Sequence, residues 1–61
     1  RDFAGWTPLH NAAYAGKVEM ARLLLDAGAR ASAEDDFGMT PLAQARAAGR
    51  EEVAKLLERS R

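Results

Sequence analysis

The sequence predicts an all-α fold, a solenoid of two turn-helix-turn-helix repeats, from its length, its internal period and its apolar spacing. The chain has 61 residues, which suffice for one small domain and exclude an enzyme with separate cofactor and substrate domains. When the sequence is aligned with itself so that Asp35 falls on Asp2, 12 of the 28 overlapping positions are identical. Apolar residues recur within each period at intervals of three and four, the spacing of one helix face. We therefore divide the single domain, residues 1–61, into a first repeat, 1–33, and a second repeat, 34–61.

The first helix is predicted over residues 8–15. Thr7 offers a side-chain oxygen at the N-cap, and Pro8 suits the first helical position because its φ is fixed and it has no N–H to satisfy. Gly16 tolerates the left-handed conformation that commonly ends a helix.

The second helix is predicted from about Val18 to Ala27 and is expected to end at Gly28. Its apolar face is formed by residues at helical spacing, namely Val18, Ala21, Leu24 and Leu25.

The second repeat follows the same plan, with helices predicted near 41–48 and 51–59. Thr40 and Pro41 supply the same start signal as their counterparts in the first repeat, Thr7 and Pro8. Such short helices are unstable alone and need packing against one another. The alanine-rich composition fits this requirement, because small side chains allow close approach of the helices, as at Ala12, Ala13, Ala21, Ala45 and Ala54.

The chain resembles the ankyrin repeat family. The stretch Asp2-Phe-Ala-Gly-Trp-Thr-Pro-Leu-His-Asn-Ala-Ala-Tyr-Ala-Gly16 contains the Thr-Pro-Leu-His-x-Ala motif of that family, and a leucine-rich segment, Leu23-Leu24-Leu25-Asp26-Ala27-Gly28-Ala29, follows it. The resemblance extends over essentially the whole chain. It implies an ankyrin-like solenoid that acts as a protein-protein interaction module.

The second repeat departs from the family pattern by becoming more polar. Ala43 replaces the motif histidine, and polar residues occupy positions that are apolar in the family or in the first repeat, namely Gln44, Arg46, Glu51 and Glu58. Because the terminal repeat of a solenoid needs a polar outer face, we interpret residues 34–61 as a C-terminal cap-like repeat. The second helix of the first repeat shows no such change. We therefore expect upstream repeats, or self-association, to cover the N-terminal side of the first repeat.

The resemblance gives His10 a structural role, as a hydrogen-bonding residue between neighbouring turns with Thr7 as a partner. A catalytic role would require a nucleophile and an orienting acid nearby, but the only serines, Ser32 and Ser60, lie far along the chain in loop or tail positions. The acidic run at 34–36 is interpreted as a solvated turn, since a calcium loop spreads its ligands over about twelve residues. No catalytic, metal-binding or cofactor-binding residue is assigned, and the chain is not expected to be an enzyme.

The aromatic residues are the candidate partner-binding residues. The resemblance implies a concave surface of turn tips and first helices, whose variable positions are set by counting from Asp2 and from Asp35. All four aromatic residues and one methionine fall on such positions, namely Phe3, Trp6, Tyr14, Phe37 and Met39. Tryptophan and tyrosine dominate binding hot spots because they bury a large area with few rotatable bonds. The structural alternative is that the residue before Thr-Pro-Leu packs half-buried on the adjacent turn.

The charge balance bears on other partner classes. Nine basic and nine acidic residues give a net charge of +0, without the basic excess that nucleic acid or an anionic membrane requires. Single-stranded nucleic acid also needs a positive groove beside the aromatics, but Asp2, Asp35 and Asp36 surround them instead. The sequence has no cysteine and no apolar stretch long enough for a signal peptide or a membrane span, which favours a cytoplasmic location.

The sequence leaves three functions to distinguish. The first is a module that binds a protein partner through the concave surface. The second is a structural cap that completes a longer array, whose partner is bound by other repeats. The third, an enzyme or its regulatory segment, has no support from these residues.

Overall fold

A computed structural model describes residues 5–59, and over this range the chain forms four α-helices and no strand. The helices are α1, Pro8–Ala15; α2, Val18–Asp26; α3, Pro41–Ala47; and α4, Glu51–Arg59. The all-α prediction is therefore confirmed. Among the described residues, none of the helices has the length and apolar character needed to cross a lipid bilayer.

The predicted start signals operate as expected. The Thr7 hydroxyl accepts the backbone N–H of His10 at 3.3 Å, and the Thr40 hydroxyl accepts that of Ala43 at 3.2 Å. Each threonine is in extended conformation and is followed by proline at the first helical position. These hydrogen bonds satisfy backbone donors that have no partner within a helix, so each helix begins where the sequence predicts.

Two helices end slightly earlier than predicted. The second helix ends at Asp26, and Ala27 caps it by donating its N–H to the Leu23 carbonyl at 3.0 Å. The left-handed glycine, Gly28, then follows with φ 97°. In the third helix Ala48 is likewise the cap and not the last helical residue. The first and fourth helices have the predicted bounds.

The four helices form two neighbouring pairs. The first pair, α1 and α2, packs on the second pair, α3 and α4, with α1 against α3 and α2 against α4. The shared core consists of Leu9, Ala12, Ala13, Ala21, Ala45, Val53, Ala54 and Leu57. Five of these eight residues are alanine, and they are the alanines for which close helix approach was predicted. Small side chains at the contacts thus let thin helices pack with few large aliphatic residues.

Two positions on α4 and the two matched positions on α2 differ in burial. Val53 and Leu57 of the second pair are each 1% exposed in the core. Their counterparts in the first pair are Met20, which is 48% exposed, and Leu24, which is only half-buried. Leu24 packs against the core but is not fully buried as Leu57 is, although the two residues occupy matched positions. The physical reason is that the first pair covers this side of the second pair, whereas no helix of the described residues covers this side of the first.

On the opposite side of the two pairs, the residues of the first pair are more buried than their counterparts in the second pair. Ala13 of the first pair is completely buried, while Arg46 at the matched position is exposed. Leu25 packs partly buried against the core, but Glu58 at its matched position forms an exposed ion pair with Arg46. The outer side of the second pair is thus polar where the equivalent side of the first pair is apolar and covered.

The burial difference predicts unequal costs for one substitution at matched positions. Leu57→Ala should lower the free energy of unfolding by about 2 to 5 kcal/mol, because a buried side chain is lost and a cavity remains. Leu24→Ala, the matched control, should cost less than about 2 kcal/mol because water already reaches part of that side chain. Urea denaturation of both variants measures the difference. Equal losses would contradict the assignment of the core.

Candidate functional site

A buried carboxylate lies where the two helix pairs meet. Asp35 is only 6% exposed and accepts four hydrogen bonds. Its Oδ1 accepts the backbone N–H groups of Phe37 at 2.8 Å and Met39 at 2.9 Å. Its Oδ2 accepts the indole N–H of Trp6 at 2.8 Å and the Gln44 amide N–H at 3.2 Å. One side chain therefore links the turn before α1, the turn before α3 and α3 itself.

This position corrects the interpretation of residues 34–36 as a solvated turn. Glu34 and Asp36 are exposed as expected, but the residue between them is buried. Asp35 instead binds backbone N–H groups of its own turn, those of Phe37 and Met39. The interactions with Trp6 and Gln44 were not predicted, because they join residues 29 and 9 positions apart.

Opposing effects act on the pKa of Asp35. Burial raises the pKa by disfavouring the charged form, but the hydrogen bonds from Met39, Phe37, Trp6 and Gln44 lower it by stabilising the carboxylate. The hydrogen bonds prevail together, so the pKa of Asp35 lies below its ordinary value. The site therefore holds a negative charge at neutral pH.

His10 has the structural role implied by the resemblance. Its ring is fully buried, and Nδ1 accepts the backbone N–H of Thr7 at 3.1 Å. The other nitrogen, Nε2, donates to the Met39 carbonyl at 2.8 Å, since a carbonyl oxygen can only accept. The neutral Nε2–H tautomer satisfies both contacts. Because both ring nitrogens are engaged, His10 ties the start of α1 to the turn before α3.

Gln44 does not belong to the polar outer face on which the sequence analysis placed it. Its side chain is 7% exposed and points into the junction, where Nε2 donates to Asp35 and lies 3.5 Å from the Met39 sulfur. The sequence offered one signal that could have found it. The matched position in the first helix pair is Asn11, so both pairs carry an amide there.

Trp6 is half-buried and contacts α1 and the turn before α3. Its ring stacks on His10 with centroids 6.0 Å apart and planes at 20°, and it meets Tyr14 at 5.6 Å and 55°. Gly5 precedes it with φ 75°, and a Cβ there would lie 2.9 Å from the backbone nitrogen of Asp36. Only glycine fits this close approach of the two turns, which brings the Trp6 indole within reach of Asp35.

Three of the candidate residues surround one cavity. It has a volume of about 190 Å³ and is lined by Trp6, Tyr14, Asp35, Phe37 and Gln44. Tyr14 is 52% exposed and Phe37 is 79% exposed. Met39 is half-buried and does not line the cavity, since its backbone and sulfur contact Asp35, His10 and Gln44. Phe3 lies outside the described residues.

Comparisons with known proteins agree with this architecture. A family model described as "Ankyrin repeats (3 copies)" matches residues 1–60. Ankyrin repeat and SOCS box protein 3 of Bos taurus is 47% identical over 34 residues, which cover 56% of this chain and 6% of that protein. Protein phosphatase 1 regulatory subunit 27 of Homo sapiens is 50% identical over 38 residues, 62% of this chain and 25% of that protein.

One similar protein has the name of an enzyme. The 2-5A-dependent ribonuclease of Mus musculus is 61% identical over 28 residues, which cover 46% of this chain and 4% of that protein. The matches therefore cover between 4% and 25% of the length of these relatives.

The lowered pKa of Asp35 predicts a specific acid sensitivity. A carboxylate with a lower pKa in the folded than in the unfolded state stabilises the fold above its unfolded pKa, and that contribution is lost as the pH falls through the folded pKa. Wild-type stability should thus decline below about pH 4. Asp35→Asn should be destabilised at pH 7 and should lose less stability on acidification.

Urea denaturation between pH 7 and pH 3 measures this effect. Asp36→Asn is the matched control, because its side chain is exposed, and it should follow the wild-type acid dependence. The same acid dependence in Asp35→Asn and wild type would contradict the role of the buried carboxylate.

Proposed function

Because the chain belongs to the ankyrin repeat family, we propose that it binds a protein partner through the concave surface formed by its turn tips and first helices. Ankyrin repeats are generally protein-protein interaction modules, and the family is typically non-catalytic. The proposed binding residues are the five on the variable positions, namely Phe3, Trp6, Tyr14, Phe37 and Met39.

The exposure of Phe37 is the observation that carries this proposal. A phenylalanine that is 79% exposed gains little from burial, so the fold does not require an aromatic residue there. Its backbone is nevertheless held firmly, since its N–H donates to Asp35. An apolar side chain on a fixed backbone can be buried by a partner at a small entropic cost.

Tyr14 and Trp6 extend this apolar surface. Tyr14 is half exposed at the cavity edge, and the Trp6 ring is held between His10, Tyr14 and the Asp35 carboxylate. Pre-organised aromatic side chains of this kind are enriched among binding hot spots. Met39 is half-buried beside this surface, and its contacts also help to fix the turn that carries Phe37.

A second candidate function, the C-terminal cap of a longer array, is favoured by the matched positions. The outer side of the second helix pair carries the exposed Arg46–Glu58 ion pair. The free side of the first pair instead exposes Met20 at 48% and Leu23 at 61%. A polar outer side suits the end of an array, and an apolar one suits contact with a preceding repeat or a second copy of this chain. In this case the partner would be bound by other repeats.

Substitution of the exposed aromatics tests the first function against the second. Tyr14→Ala and Phe37→Ala should each weaken partner binding by more than about 2 kcal/mol if they are hot spots. Trp6→Ala is less informative, because it also removes a hydrogen bond to Asp35. Binding is measured by a quantitative pull-down of the partner with the full-length protein. The helical circular-dichroism signal of each variant checks that it is folded.

Glu52→Ala is the control, since its side chain is exposed on α4 and does not line the cavity. It should leave partner binding unchanged. Unchanged binding in folded Tyr14→Ala and Phe37→Ala would favour the capping function instead.

A further inference from the structure

The aromatic cavity combines two features that together suit a cation. The aromatic residues of the described range, Trp6, Tyr14 and Phe37, all line it, and so does the buried Asp35 carboxylate. The faces of aromatic rings attract a cation that lies within about 6 Å of the ring centre. A cavity lined by these rings and a negative charge therefore favours a positively charged group over a neutral one of the same shape.

The negative charge of the cavity is not neutralised by the part of the chain that the structure describes. Among residues 5–59, no lysine or arginine lines the cavity. Arg46 pairs with Glu58, and the Arg50 side chain donates to the Tyr14 carbonyl from outside the cavity. The hydrogen bonds to Asp35 come from uncharged donors, which stabilise the carboxylate without cancelling its charge. The lining that the structure describes thus presents a net negative charge to an incoming group.

The hydrogen bonding of Asp35 selects among cations. The carboxylate already accepts four hydrogen bonds, two at each oxygen, so its usual acceptor sites are occupied. A lysine ammonium brings three N–H donors and an arginine guanidinium brings five, and these would compete with the existing donors. A trimethylated ammonium has no N–H donor and needs only negative charge and apolar contact.

We propose that this cavity receives the trimethylated ammonium group of a methylated lysine side chain on the protein partner. This inference rests on the proposed interaction function and names the chemistry that the partner presents. The volume of about 190 Å³ is several times that of one water molecule, which suits a small cationic group better than a bulky ligand. Tyr14 and Phe37 are the accessible walls, Trp6 is the rigid wall, and Asp35 supplies the charge.

Short blocked peptides provide the test on the full chain. The probes are acetyl-Gly-X-Gly-amides in which X is trimethyllysine, lysine, arginine or the neutral trimethyllysine analogue with carbon in place of the charged nitrogen. Trp6 is the only tryptophan, so its fluorescence reports binding at the cavity. The trimethyllysine peptide should bind on the order of tenfold more tightly than the neutral analogue. It should also bind more tightly than the lysine and arginine peptides.

Two variants test whether the preference for trimethyllysine arises at the cavity. Phe37→Ala and Tyr14→Ala should each reduce the preference for trimethyllysine over the neutral analogue, and both side chains are exposed enough for the fold to tolerate their removal. Leu23→Ala is the matched control, because it removes an exposed apolar side chain that does not line the cavity. Leu23→Ala should keep the wild-type preference for trimethyllysine over the neutral analogue.

The inference is overturned if the neutral analogue binds as tightly as trimethyllysine, if arginine or lysine is preferred, or if both variants keep the wild-type preference. Suppose that Phe37→Ala weakens capture of the partner but the peptides show no preference for the cation. This inference then fails and the interaction function stands. If capture is unaffected while the peptide preference holds, the cation site stands and the interaction function fails.

Discussion

The structure depends on the requirement that a buried carboxylate be surrounded by hydrogen-bond donors. An unsatisfied charge at Asp35 would be costly, and its four donors come from two turns and one helix. The hydrogen bonds from these four donors fix the turn at 35–39, orient the Gln44 amide and hold the Trp6 indole over the junction. The His10 contact to the Met39 carbonyl joins the same turns from the other side. The relative position of the two helix pairs therefore follows from polar contacts at one end and from alanine packing in the core.

The same contacts build the candidate binding surface. Trp6 and Asp35 connect the two helix pairs and also line the aromatic cavity, while Phe37 and Tyr14 project at its edge. In the proposed function, stability and recognition are consequently linked at Trp6 and Asp35 but separable at the two exposed aromatics. This separation arises because a side chain that is mostly exposed in the free protein can contribute to binding without contributing much to folding.

The helices were predictable from sequence because their signals are local. Thr-Pro pairs fixed two starts, and glycines marked the ends of the first three helices to within one residue. The burial of Asp35 was not predictable, since it depends on a contact with Trp6 in a distant part of the chain. For Gln44 the only signal was the amide at the matched position, Asn11. The asymmetry between Leu24 and Leu57 has the same origin, because identical residues at matched positions differ only in what covers them. The clustering of Trp6, Tyr14 and Phe37 was expected from the family resemblance, and acidic residues were expected beside them, but the burial of Asp35 was not expected.

Hydrogen exchange measured by nuclear magnetic resonance tests the central role of Asp35 most directly. The relevant protons are the indole N–H of Trp6 and the amide N–H groups of Phe37 and Met39, all of which donate to this carboxylate. Although they lie in turns, they should exchange as slowly as the core amides of α4, because breaking their hydrogen bonds requires opening of the junction between the helix pairs. Exchange of these three protons at the rate of unprotected groups, with α4 still protected, would contradict the proposal that Asp35 holds the two helix pairs together.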